Sequence, residues 1–175
     1  MTDLVFAHDR HFPTTDLAED TVLVVPDGFE AVQPVLKLAD IIAAEAGQVP
    51  EIIAQKDFSA SLFGDVQVIA CGNMVNNAAL RRLYGARCCF ADTFFPGKDG
   101  YFIKSISDPF GHGKNCIALG ASGAEGVLAS LAVFEDLVRS GDLQRVHVAR
   151  MQHSLPPFPD ETKLEKMIQA DLDTW

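Results

Sequence analysis

The sequence predicts a single layered domain of the α/β (α+β-like) class, with helices packed on a mixed β-sheet. Two observations carry that prediction. Short apolar runs alternate with segments whose apolar residues recur at helical spacing, in the order strand, helix, strand, strand, helix, hairpin, helix. The hairpin reverses one strand, which makes the sheet mixed rather than all parallel. A length of 175 residues suits one domain, and 48% hydrophobic against 22% charged residues suffices for a buried core.

Residues 1–20 are polar and irregular and read as an arm with little fixed structure, ahead of an α/β domain over 21–150. The run TVLVVP at 21–26, ended by Asp27 and Gly28, is a buried strand entering a turn. Val32, Val35, Leu36, Ala39, Ile42 and Ala43 then define a helix. Pro34 belongs in its first turn, so it starts near Ala31, and Gly47 ends it. EIIA at 51–54 and QVIAC at 67–71 are the next strands. The second runs into Gly72, Asn73, Asn76 and Asn77 and a helix through Tyr84, with Asn76 as N-cap and Gly85 as terminator.

Residues 88–100 form a long loop with aromatic anchors. YFIKSIS at 101–107 alternates like a half-buried strand, 108–115 is a turn cluster, and CIAL at 116–119 closes an antiparallel hairpin. Ser122 and Glu125 have capping-box spacing. They precede a helix whose stripe is Val127, Leu128, Leu131, Phe134, Leu137 and Val138, with Gly141 after it. A short strand is expected at 146–149. Pro156, Pro157 and Pro159 then break the chain, and 151–175 reads as a linker and the start of a following charged helix over 161–172.

Net charge is -10, which repels phosphate backbones and anionic lipid and so argues against nucleic-acid and membrane partners. No apolar run approaches the roughly 20 residues of a membrane span. The first residues lack an apolar signal core, so a cytoplasmic location is expected if that N-terminus is native. None of the four cysteines, Cys71, Cys88, Cys89 and Cys116, forms a CxxC pair, and they read as small core residues in a reducing compartment.

Chemistry-bearing patterns are sparse. The segment GASGAEG holds Gly120, Ser122, Gly123 and Gly126 between a strand and a helix, the setting in which backbone N–H groups bind phosphate. Its spacing is GxxGxxG, it has no lysine, and Glu125 brings negative charge, so a tight turn with a capped helix is the favoured reading. His8 and His11 have a ligand-like spacing but no further ligands, His112 reads as an exposed turn residue, and His147 as structural. No carboxylate pair among Asp92, Asp99 and Asp108 is singled out by an activating neighbour, and no Ser, His and Asp set sits at a nucleophile elbow. No catalytic residue, metal site or cofactor is therefore expected.

Asn73, Asn76 and Asn77 invite a ligand-binding role, as do Ser122 and Gly123, although asparagines at strand ends more often satisfy turn backbone. The aromatic residues Phe90, Phe94, Phe95, Tyr101, Phe102 and Phe110 divide between anchoring the loop and meeting a partner, with Phe94, Phe95, Tyr101 and Phe110 the expected interface, and aromatic rings also stack on sugar faces, which makes a glycan an expected ligand.

The stretch from Gly72 and Asn73 through Asn76, Asn77, Leu80, Leu83 and Tyr84, the strand Gly100, Tyr101, Phe102, Ile103, and the run from Asn115 through Gly120 and Ser122 to Gly126 and Val127 carry a resemblance. Together they resemble the small N-terminal α/β domain of carbohydrate-active enzymes, among them β-hexosaminidase-like and α-glucuronidase-like glycoside hydrolases. The match covers about 22–140. It implies a non-catalytic domain packed against a catalytic domain of the same polypeptide, a glycoside hydrolase or a polysaccharide lyase. The catalytic acids of that family lie in its barrel, so none is carried onto this chain. The alternatives are a nucleotide- or phosphate-binding module at 120–126 and a stand-alone interaction protein using its aromatic loop.

Overall fold

The computed structural model describes residues 4–7, 16–141, 148–153 and 169. It holds a seven-stranded mixed sheet in the order β1-β7-β5-β6-β4-β2-β3. The strands are β1 (Leu4–Ala7), β2 (Thr21–Val25), β3 (Glu51–Ala54), β4 (Gln67–Gly72), β5 (Tyr101–Ile106), β6 (Cys116–Ala121) and β7 (Val148–Gln152). Between them lie α1 (Gln33–Ala46), a 3-10 turn at Gln55–Asp57, α2 (Leu62–Asp65), α3 (Ala78–Gly85) and α4 (Ala124–Ser140). β3, β2, β4 and β6 run parallel, β5 returns antiparallel beside β6, and β7 and β1 continue antiparallel outward. The mixed α/β fold predicted from the sequence is the fold observed.

Side chains alternate across the central strands and both faces are covered. Leu23, Val25, Ile69, Cys71, Ile117 and Leu119 face one cluster, which Val35, Leu38 and Ile42 of α1 and Leu131 and Phe134 of α4 complete. Val22, Val24, Val68, Ala70 and Ala118 face the other, closed by Leu80 and Leu83 of α3 and Phe63 of α2. This double coverage explains why β2, β4 and β6 read as continuous apolar runs. Where α1 meets α4, Lys37 neutralises the buried carboxylate of Glu135. Gly47 and Gly141 end their helices in the left-handed conformation, at φ of 84° and 69°.

Several local expectations shift. Within the segment read as an irregular arm, of which 1–3 and 8–15 lie outside the described residues, Leu4–Ala7 forms an edge strand on β7 and Leu17 is buried in the core. The 101–107 strand is not half-buried: Ile103 faces α4, while Phe102 and Ile106 pack in the opposite cluster. Leu128 of the predicted α4 stripe is exposed at 40%. The N-cap of α3 is Asn77, not Asn76. The capping box at α4 does not form, because Gly123 is the N-cap and the Ser122 hydroxyl instead accepts the N–H of Gly97. The strand expected at 146–149 spans Val148–Gln152, and the helix expected at 161–172 falls, apart from Gln169, outside the described residues.

The glycines of GASGAEG allow close packing of the aromatic loop. A β-carbon at Gly120 would strike the Phe102 ring, and one at Gly126 would strike the carbonyl oxygen of Gly100. Gly126→Ala is therefore expected to lower the unfolding free energy by about 2–4 kcal/mol in urea titration. Gly85→Ala, which meets open space at the end of α3, is expected to be neutral or stabilising by about 0.5 kcal/mol. Equal stability of the two variants would remove the close-packing account.

Candidate functional site

Open parallel sheets hold ligands outside the carboxyl ends of their strands, where the strand order reverses. Here the chain leaves β2 for β3 on one side and returns to β4 on the other, so the reversal lies between β2 and β4. The turn after β4 delivers three asparagines to this point.

Asn77 is fully buried and lies across the gap. Its Nδ2 donates to the carbonyls of Val24 and Cys71, both at 2.9 Å, tying the ends of β2 and β4 together. Its Oδ1 accepts the N–H groups of Ala79 and Leu80 at 3.0 and 3.2 Å, capping α3. Both donors and both acceptor positions of the amide are thus in use. Asn73, 2% exposed, repeats the arrangement one strand over. Its Nδ2 donates to the carbonyls of Ala121 and Ser122 at 3.2 Å, and its Oδ1 accepts the N–H of Val75 at 2.9 Å and of Asn76 at 3.3 Å. Asn76 turns its Oδ1 onto the Asn73 N–H at 2.7 Å. The three asparagines proposed as ligand contacts come together, and they hold protein backbone.

Ser122 and Gly123 sit beside this group, at the start of α4. The Ser122 hydroxyl accepts the Gly97 N–H at 3.1 Å, and the Lys98 carbonyl oxygen would lie 2.9 Å from a β-carbon on Gly123. The Gly100 carbonyl covers Gly126 in the same way. A phosphate at this turn would meet carbonyl oxygens, which repel it, so the geometry does not support the nucleotide- or phosphate-binding alternative.

The four aromatic residues singled out as a partner face separate. Phe94 projects, 82% exposed, from a turn in which the Asp92 carboxylate accepts the N–H groups of Phe94 and Phe95 at 2.7 and 2.8 Å. Phe95 is half-buried against Phe102, and Phe110 packs on Phe63 with ring centres 4.5 Å apart. Tyr101 is only 3% exposed within the core, so it does not belong to an exposed aromatic face. Phe90, one of the loop aromatics weighed from sequence, is 52% exposed, whereas Val75 (59% exposed) and Lys104 were not identified as site residues from sequence. Lys104 is the lone cation in an apolar strand, a signal that would have drawn notice to it.

Burial pushes the thiols of Cys71 and Cys116 up to about 12 and that of Cys89 up to about 11, so none supplies a thiolate near neutral pH. Among the described residues no group of three or more histidine, cysteine or acidic side chains could hold a metal ion. No described helix is long and apolar enough to cross a membrane.

No protein-family model matches the chain, and no curated protein matches it. Among solved structures, that of CpGH84D, a glycoside hydrolase chain, aligns over 86% of this chain with a TM-score of 0.55 and 9% identity. This chain spans 22% of the length of CpGH84D. The likeness is one of fold.

Two measurements check this description of the site. Asn77→Asp keeps the helix cap but aims a carboxylate at two carbonyls, and is expected to cost about 2–4 kcal/mol in unfolding free energy at neutral pH. Repulsion raises the folded-state pKa of that aspartate above its unfolded value, so the loss should shrink as pH falls and grow as pH rises through the normal carboxylate range. A loss independent of pH would contradict the donor role of the Asn77 amide. In native protein at pH 8, iodoacetamide should modify Cys88, the one partly exposed cysteine, and spare Cys71, Cys89 and Cys116 until the chain is unfolded. Mass spectrometry showing native labelling of the three buried thiols would contradict their burial.

Proposed function

We propose that this chain is a non-catalytic accessory domain of a carbohydrate-active enzyme and that it packs against a catalytic domain of the same polypeptide. The observation that carries this reading is the use of the Asn73 and Asn77 amides to bind the sheet's own carbonyls, at the position where such a fold would otherwise hold a substrate. A site closed in this way favours a structural over a catalytic role. The likeness to CpGH84D supports the link to glycan chemistry, and favours a glycoside hydrolase over a lyase as the parent. That this chain spans only 22% of CpGH84D fits a part within a larger protein.

The exposed ring of Phe94 is the contact proposed for the catalytic domain, with Val75 on the turn beside it and Phe95 and Phe110 as partly buried supports. The Met74 N–H donates to the Ala91 carbonyl at 3.0 Å, joining the turn after β4 to the aromatic loop. A glycan stacking on the same ring is the competing occupant.

Reading the gene onward from the Trp175 codon tests the proposal. An in-frame catalytic domain bearing paired acids is expected, and a stop codon at that point would overturn it. In the joined protein, Phe94→Ser should weaken docking of the two domains by about tenfold or more. In this chain alone the same change should leave the melting temperature within about 2 °C, because the ring is already in water.

A further inference from the structure

A cavity of about 200 Å³ lies between the aromatic loop and β5. Its lining is Cys89, Phe90, Phe95, Phe102 and Lys104. Phe95 and Phe102 lie 6.5 Å apart at a shallow 31° angle, and Phe90 is held by the edge of Tyr84 at 5.7 Å. Phe90 is also half exposed, so the cavity reaches solvent beside it. The chamber is smaller than the roughly 300 Å³ at which drug-sized sites begin, which limits a guest to about one aromatic ring.

Lys104 makes this chamber more than a packing defect. Its Nζ donates to the Cys88 carbonyl at 2.7 Å, and a lysine ammonium has three donors. Among the described residues the ion pairs are Lys37 with Glu135 and Lys114 with Glu19, so no described carboxylate pairs with Lys104. A cation with no carboxylate partner among the described residues, set at an aromatic wall, is positioned for an anion from outside. Cys89, kept protonated by burial, adds no competing charge.

We infer that this cavity binds a small monocarboxylate with an apolar body the size of a phenyl ring. The body lies among Phe90, Phe95 and Phe102, and the carboxylate meets the Lys104 ammonium. A phosphate or sulfate is a poor fit, since a single cation and aromatic walls cannot replace its hydration. A neutral arene fills the space but leaves the ammonium unmatched. The inference does not rest on the accessory-domain reading: the cavity shares Phe95 with the proposed docking contact but uses neither Phe94 nor the asparagine turn.

Amide-resolved NMR titration of the full chain with phenylacetate, and with the neutral isostere phenylacetamide, tests the inference. Saturable shifts confined to β5 and the aromatic loop are expected, with a dissociation constant of about 1 mM for the acid. The amide should bind about tenfold more weakly, since it lacks the charge-assisted contact. Lys104→Met should cost about tenfold in affinity for the acid while leaving the amide unchanged, and Lys104→Arg should stay within about threefold. The comparison of acid with amide on the unmodified chain decides the matter even if a variant misfolds. Equal affinity for the two compounds, or no saturable shift from the acid, overturns the inference.

Discussion

The carboxyl edge of the sheet is held by two buried side-chain amides. A ladder bonds neighbouring strands only while they run side by side, and at their ends the last carbonyls need other partners. Asn77 supplies them for β2 and β4, and Asn73 does so for Ala121 at the end of β6 and Ser122 just after it. Much else takes its place from these amides. The Asn77 oxygen fixes where α3 begins, and the Asn73 oxygen shapes the turn that presents Val75. That turn in turn receives the aromatic loop through Met74 and Ala91. Groups satisfied in this way rigidify a fold, and they are poor groups with which to hold a substrate.

The parts of the fold that were legible in the sequence are those set by neighbours along the chain. β3 falls on the predicted residues, β2 and β4 differ from prediction by one residue, and α1 ends at the predicted glycine. The glycine after α4 behaves likewise. The parts that were not legible depend on distant partners. Leu4–Ala7 becomes a strand only because β7 offers it an edge. Ser122 has the spacing to cap α4, yet the Gly97 N–H competes for its hydroxyl. Lys104 gave β5 the look of a strand with one wet face, but the aromatic loop folds over that face and buries Phe102.

The candidate site was legible in the same measure. Sequence brought Asn73, Asn76 and Asn77 forward and weighed backbone capping above ligand binding. It could not say that one residue would both cap a helix and bridge two strands, since that needs the relative placement of β2 and β4. The aromatic residues looked like one group because they are close in sequence. In three dimensions Tyr101 enters the core, Phe110 joins α2 through Phe63, Phe95 and Phe102 wall a cavity with the half-exposed Phe90 at its rim, and Phe94 projects furthest.

Both rims of the sheet are short. β1 and β3 have four residues each, with most of the ladder lying between them. A brief rim offers few unsatisfied amides to an incoming segment, so this sheet is a poor template for growth by strand addition. Under the accessory-domain proposal, association with another domain then falls to side chains on the loops and faces rather than to backbone pairing. The same brevity disfavours edge-to-edge self-association along the described rims.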